Sequence, residues 1–162
     1  MRISVLTASD RCSRGEAEDK SGPLISEILS DAQTVCYRCV PDDRDAIAAT
    51  LVEMCDDFHS DVVFTTGGTG FAPRDVTPEA TKDVIEREVP GIPEAIRAES
   101  LKITPKAMLS RATAGIRGKT LIINLPGSPK AVRESLAVVV PVLDHALETL
   151  SGVTLSCGKE YA

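Results

Sequence analysis

The chain of 162 residues carries 43% hydrophobic and 26% charged side chains, which is enough apolar material for one domain, 1–162, with a real core. A net charge of −6 argues against a nucleic acid as partner, because neutralising a phosphate backbone needs clustered excess lysine and arginine; small anionic ligands fit more easily. Five cysteines, an odd number, read as reduced thiols, and the absence of a signal-like leader or a run long enough to span a membrane makes a cytoplasmic protein with no membrane partner the expectation.

In chain order, residues 3–7 form the first apolar strand run. The segment after it, 8–15, is long and polar and leads through Glu18, Asp19, Lys20 and Ser21 to a helix start at Gly22-Pro23. Loops in this position form one wall of the site in open α/β sheets, so Asp10, Arg11, Arg14 and Lys20 are candidates for binding an anionic substrate. Residues 35–40 make a second, more mixed strand. Its Cys36 and Cys39 form a C-x-x-C, but positions three apart on a strand face opposite ways and share no ligand. A helix begins at Asp42 or Asp43, with Ile47, Leu51, Met54 and Phe58 on one face.

Residues 62–66 are an apolar strand run, ending in Thr65 and Thr66, that feeds the glycine-rich turn Gly67-Gly68-Thr69-Gly70, then Pro73-Arg74-Asp75, and then a helix signalled by Thr77-Pro78. The turn matches neither the Walker A pattern nor the dinucleotide fingerprint. Its bare amides, with the hydroxyls of Thr65, Thr66 and Thr69, form a phosphate cradle, and Arg74 offers a charged fork to an outer phosphate. A helix over 92–103 ends at Thr104-Pro105, and Gly115 and Gly118 punctuate a ribbon that leads into the strand at 121–125.

Asn124, Leu125, Pro126, Gly127, Ser128 and Pro129 then repeat the plan of strand, glycine turn and helix start; Asn124 is placed to read a base or ribose, and two such loops can hold opposite ends of one nucleotide. Val132, Leu136, Val139, Leu143, Leu147 and Leu150 trace the last helix, where Pro141 predicts a kink or break near Val140. His59 and His145 fall on helical stretches away from these loops and are read as structural. Strands alternating with helices indicate an α/β fold. If the strands are parallel, Asp42 and Asp75 share one sheet edge with the turns, and two carboxylates beside phosphates call for Mg²⁺; each also has a purely local reading, as a helix cap for Asp42 and an Asx turn for Asp75.

Taken together, residues 65–81, 99–105, 107–111, 114–118 and 121–129, with Ser9-Asp10-Arg11 and 19–23, resemble the molybdopterin adenylyltransferases: the bacterial MogA and MoaB type proteins and the plant and gephyrin G domains. The resemblance implies a three-layer α/β sandwich, its mostly parallel sheet covered by helices on both faces, assembled as a homotrimer. It implies that ATP and molybdopterin, with Mg²⁺, give adenylyl-molybdopterin and pyrophosphate, with a molybdenum insertase as partner.

By position Asp42 and Asp75 match the acidic pair needed for activity, as catalytic and metal-holding residues. Thr66, Gly67, Gly68, Thr69, Gly70, Arg74, Asn124, Pro126, Gly127 and Ser128 would bind the nucleotide, and Ser9, Asp10, Arg11, Lys20, Ser110 and Arg111 the pterin. A paralogue that binds molybdopterin without adenylyl transfer, and a nucleotide pyrophosphatase of the same fold, remain as alternatives.

Overall fold

The computed structural model describes residues 1–152. Six strands form one sheet in the order β2-β1-β3-β6-β5-β4: β1 (Arg2–Ala8), β2 (Gln33–Val40), β3 (Val62–Thr66), β4 (Arg87–Glu88), β5 (Ala114–Arg117) and β6 (Thr120–Leu125). β2, β1, β3 and β6 run parallel, while β5 lies antiparallel between β6 and β4. The expected ribbon is the β5–β6 hairpin, turned at Gly118, whose φ of +55° suits a residue without Cβ.

Strand alternation divides the core into two layers. Ile3, Val5, Phe64, Ile123 and Leu125 point to one face, beneath α2 (Ser21–Ile28), α5 (Gly91–Leu101) and α6 (Pro129–Ser151). Leu6, Val63 and Ile122 point to the other, beneath α3 (Arg44–Asp56) and α4 (Thr77–Val84). Each large aliphatic side chain sealed on either face contributes roughly 1.5–3 kcal/mol relative to exposure. This is the α/β sheet expected from the alternating pattern, in the three-layer form that the resemblance implies.

Four local features differ from expectation. α6 runs unbroken through Pro141, because Val139 and Leu143 on either side are sealed in the core and hold the helix together. A short helix, α1 (Asp10–Ser13), occupies the loop after β1, and a 3₁₀ turn (Pro105–Leu109) follows α5. Phe58 and His59 lie beyond the end of α3, and His59 takes φ +49° in the turn to β3. The cysteines at 12, 36, 39 and 55 are free thiols, and Cys157 lies outside the described residues.

The connection after β1 leads to β2 on one side of the sheet, whereas the connections after β3 lead to β6 on the other. The order therefore reverses between β1 and β3, and a crevice opens outside the carboxyl ends of these strands.

Candidate active site

Three loops meet in that crevice and lock through their glycines. A Cβ on Gly67, which holds φ +92°, would overlap the carbonyl oxygen of Ala8 at the end of β1, and one on Gly127 would lie 3.3 Å from the Gly67 Cα. The Thr66 hydroxyl donates to the Pro126 carbonyl over 2.7 Å and the Ser21 hydroxyl to the Gly127 carbonyl over 2.8 Å. The glycines thus allow backbone to pack on backbone, which a side chain would prevent.

On one side of this junction lies a pocket of about 360 Å³ lined by Thr7, Ser9, Cys12, Lys20, Thr66, Gly67 and Gly127. Its rim is built by Asp19. The carboxylate accepts from the Thr7 and Tyr37 hydroxyls, both at 2.6 Å, and from the amides of Ser21 (2.9 Å) and Gly22 (3.0 Å). Burial alone would raise the Asp19 pKa, but these four donors outweigh it and hold it below the usual carboxylate range. Lys20 is thereby fixed at the mouth with its side chain exposed.

On the other side a second pocket, about 280 Å³, is lined by Thr69, Gly70, Pro93, Ile96, Ser110, Ala112 and Pro126. Ser110 sits at its wall, accepting from the Ala112 amide at 3.3 Å.

Asp42 and Asp75 are both drawn to the glycine turn. A Cβ on Gly68, at φ +64°, would lie 3.3 Å from Asp42 Oδ1 and overlap Thr77 Oγ1; one on Gly70 would lie 2.8 Å from Asp75 Oδ2. Asp42 does not cap α3; Asp43 does, accepting from the Ala46 amide at 2.9 Å. Asp42 instead exchanges bonds with Asp10: the Asp10 amide donates to Asp42 Oδ2 (2.9 Å) and the Asp42 amide to Asp10 Oδ1 (3.1 Å). Burial raises the Asp42 carboxyl above its ordinary value, and the charges of Asp10 and Asp75 add to this, although the Asp10 amide pulls the other way. Asp75 closes a tight turn of its own, with Oδ2 accepting from the Ala72 amide at 2.8 Å.

Several candidates stand where they were expected without facing a ligand. Asn124 is fully buried, its carboxamide donating to the hydroxyls of Thr65 and Thr81, both at 2.9 Å, and accepting from the Thr113 amide at 3.2 Å. It ties β6 to β3, α4 and β5 and cannot read a base. The Thr65 and Thr66 hydroxyls are likewise committed inside the fold, and so leave the expected cradle. Arg74 places its fork on Asp10, at 2.5 and 2.8 Å, and lowers the Asp10 pKa.

Arg111 lines neither pocket; its guanidinium bonds the carbonyls of Gly70 and Asp75 and the carboxylate of Glu79. Ser9 and Ser128 cap α1 and α6, and Arg11 is exposed. Thr77 is the first residue of α4 rather than its cap, and its buried hydroxyl has no hydrogen-bond partner among the described residues. The bonds of Asp19 to Thr7 and Tyr37 and of Glu79 to Arg111 had no signal in the sequence, because these partners lie on other elements.

Two acidic groups with no salt-bridge partner among the described residues, a glycine turn beside both and two pockets lined by that turn make a place for a polyphosphate and a second, bulkier molecule. The model for the probable molybdopterin binding domain matches residues 4–145 of this chain. The molybdopterin adenylyltransferase of Helicobacter pylori strain J99 is 49% identical over 156 residues, covering 94% of this chain and 89% of the relative. That of Escherichia coli K12 is 45% identical over 140 residues, covering 84% of this chain and 72% of the relative. The crystal structure of the molybdopterin biosynthesis enzyme MoaB from Thermus thermophilus superposes with a TM-score of 0.88 at 48% identity, over 93% of this chain and 96% of that one. The matched span holds every residue of both pockets, and the chain belongs to the family of molybdopterin-binding domains that includes the molybdopterin adenylyltransferases.

Proposed function

We propose that this chain transfers the adenylyl group of ATP to molybdopterin, with Mg²⁺, releasing pyrophosphate. The observation that carries the reading is that Asp42 lies beside Gly68 and Asp75 beside Gly70, in the turn whose Gly67 lines the first pocket and whose Thr69 and Gly70 line the second. The name shared by the curated relatives supports the same reaction.

The chemistry asks for alignment more than for a base. A phosphate oxygen of the pterin forms a bond to the α-phosphorus of ATP, and the bond from that phosphorus to its bridging oxygen breaks, so pyrophosphate leaves with the electron pair. The nucleophile is already anionic and no proton need be removed. The glycine turn lets phosphates approach bare backbone, and Gly67 lies where the loops meet and lines the first pocket. Ser9 and Lys20 in the first pocket and Thr69 and Ser110 in the second supply polar groups to hold the substrates in line.

The residues fit Mg²⁺. Among the described residues no three His, Cys, Asp or Glu side chains cluster closely enough to cage a metal, while Asp42 and Asp75 each keep a carboxylate oxygen outside the hydrogen bonds above. One or two carboxylates completed by substrate phosphates is the usual way Mg²⁺ is held. When bound there, the ion neutralises charge on the phosphates and on the departing pyrophosphate. Without it, Asp42 and Asp75 would repel the nucleotide.

The same reading places the protein in the cytoplasm as a homotrimer that passes its product to a molybdenum insertase. Among the described residues no helix is long and apolar enough to cross a membrane, and exposed Leu101, Ile103, Met108 and Val142 provide apolar surface of the kind a subunit interface covers. Incubating pure protein with ATP and Mg²⁺, with and without molybdopterin, tests the reaction. Pyrophosphate is expected only when the pterin is present. Release without pterin would mark a hydrolase, and tight pterin binding without any nucleotide chemistry would mark a binding module.

A further inference from the structure

The stretch from Gly70 to Asp75 carries one of the two essential acids of the proposed site, yet it has no apolar anchor. Residues 71–74 are all exposed, and Phe71, the one large apolar side chain among them, is 68% exposed. Within the stretch the Asp75 amide donates to the Ala72 carbonyl (2.9 Å) and the Ala72 amide to Asp75 Oδ2 (2.8 Å), which shapes a turn but does not attach it to the body of the protein. Arg74 ties the exposed middle of the stretch to Asp10, at 2.5 and 2.8 Å, and its two ends are held by Arg111. The Arg111 Nε donates to the Gly70 carbonyl at 2.7 Å, one terminal nitrogen donates to the Asp75 carbonyl, and the other meets Glu79 on α4. Its own amide donates to the Thr69 carbonyl at 2.9 Å.

One guanidinium thus grips both ends of the loop, and Ser110 and Ala112 on either side line the second pocket whereas Arg111 does not. We infer that Arg111 is a positioning residue for adenylyl transfer, fixing the Gly70–Asp75 loop so that the Asp75 carboxylate faces the glycine turn; it acts through Asp75 and does not touch the pterin. This rests on the adenylyl-transfer reading. Only a planar fork can reach two carbonyls and a carboxylate at once, so lysine, a single point of charge on a flexible stem, cannot replace it.

The test compares wild type with Arg111→Lys in two measurements. Amide hydrogen exchange is expected to accelerate about tenfold or more at the hydrogen-bonded amides in 71–75, Ala72 and Asp75, since losing charge-assisted bonds removes local protection, while the sheet amides stay unchanged. In the pyrophosphate assay kcat is expected to fall by roughly 10–100-fold, as for other supports of an essential ligand, with KM for molybdopterin within about twofold. A raised KM for molybdopterin at unchanged kcat would make Arg111 a pterin contact and overturn the inference; so would exchange at 71–75 equal to wild type. Should wild type itself fail to adenylylate, the parent reading falls and the exchange data alone decide the loop's anchoring. If Arg111→Lys does not fold, Glu79→Gln, which loosens the far end of the guanidinium, is expected to accelerate the same amides by a smaller factor, and no acceleration there overturns the inference.

Discussion

Asp42 stands near Asp75 beside the glycine turn, and its carboxyl lies above its ordinary value chiefly through burial, with the charges of Asp10 and then Asp75 adding to it. The sign of the consequence for stability follows. A carboxyl whose folded pKa lies above its unfolded value opposes folding once ionised, fully so above the folded pKa, and the penalty fades as pH falls through that value toward the unfolded one. Asp42→Asn removes the charge and keeps an oxygen to accept from the Asp10 amide. The variant is expected to melt higher than wild type at neutral pH, with the gap closing on acidification. Thermal melts at several pH values measure this; a variant that melts lower at pH 7 would show that the Asp42 charge is satisfied within the free protein.

Asn124 makes the opposite kind of prediction. Replacing it with alanine leaves the Thr113 amide and the Thr65 and Thr81 hydroxyls without their partner inside the fold. The expected loss is about 1–3 kcal/mol of stability, measured by urea unfolding. KM for ATP should stay unchanged. A stable Asn124→Ala protein with weakened ATP binding would restore Asn124 to the nucleotide site.

Gly68 combines a left-handed backbone with two close neighbours. Alanine there meets φ +64°, overlaps Thr77 Oγ1 and crowds Asp42 Oδ1. The left-handed conformation alone costs roughly 1–2 kcal/mol, and the displaced turn should lower turnover by an order of magnitude or more. Gly118→Ala, equally left-handed but with open space around it, serves as the comparison: it should lose stability and keep activity. Equal activity in both variants would show that the turn's geometry does not matter to the chemistry.

The sheet was legible because its central strands are continuous apolar runs, which only burial on both faces explains: residues 3–7, 62–66 and 121–125 each fall within an observed strand. The placement of Asp42 and Asp75 at one edge was legible because Asp42 comes just after β2 and Asp75 in the loop after β3, and neighbouring parallel strands end at the same edge. What could not be read was the direction of individual side chains. Asn124 lies in a strand whose alternation turns it toward α4, and nothing in its neighbours shows that it meets Thr65 and Thr81 there. Arg111 and Arg74 look like free cations for an anionic substrate, yet each finds oxygen partners more than thirty residues away in the chain. Pro141 announces a helix end by local rules, and the sealed side chains around it decide otherwise.

Transfer of label from [α-³²P]ATP to molybdopterin is the most direct measurement, made on wild type, Asp42→Asn and Asp75→Asn with Mg²⁺ present. Wild type is expected to give labelled adenylyl-molybdopterin, and both variants to retain their fold by circular dichroism while transfer drops by at least about a hundredfold, the scale of losing a group that organises phosphate charge. Label transfer at the wild-type rate by either variant, or none by the wild-type protein, would contradict it.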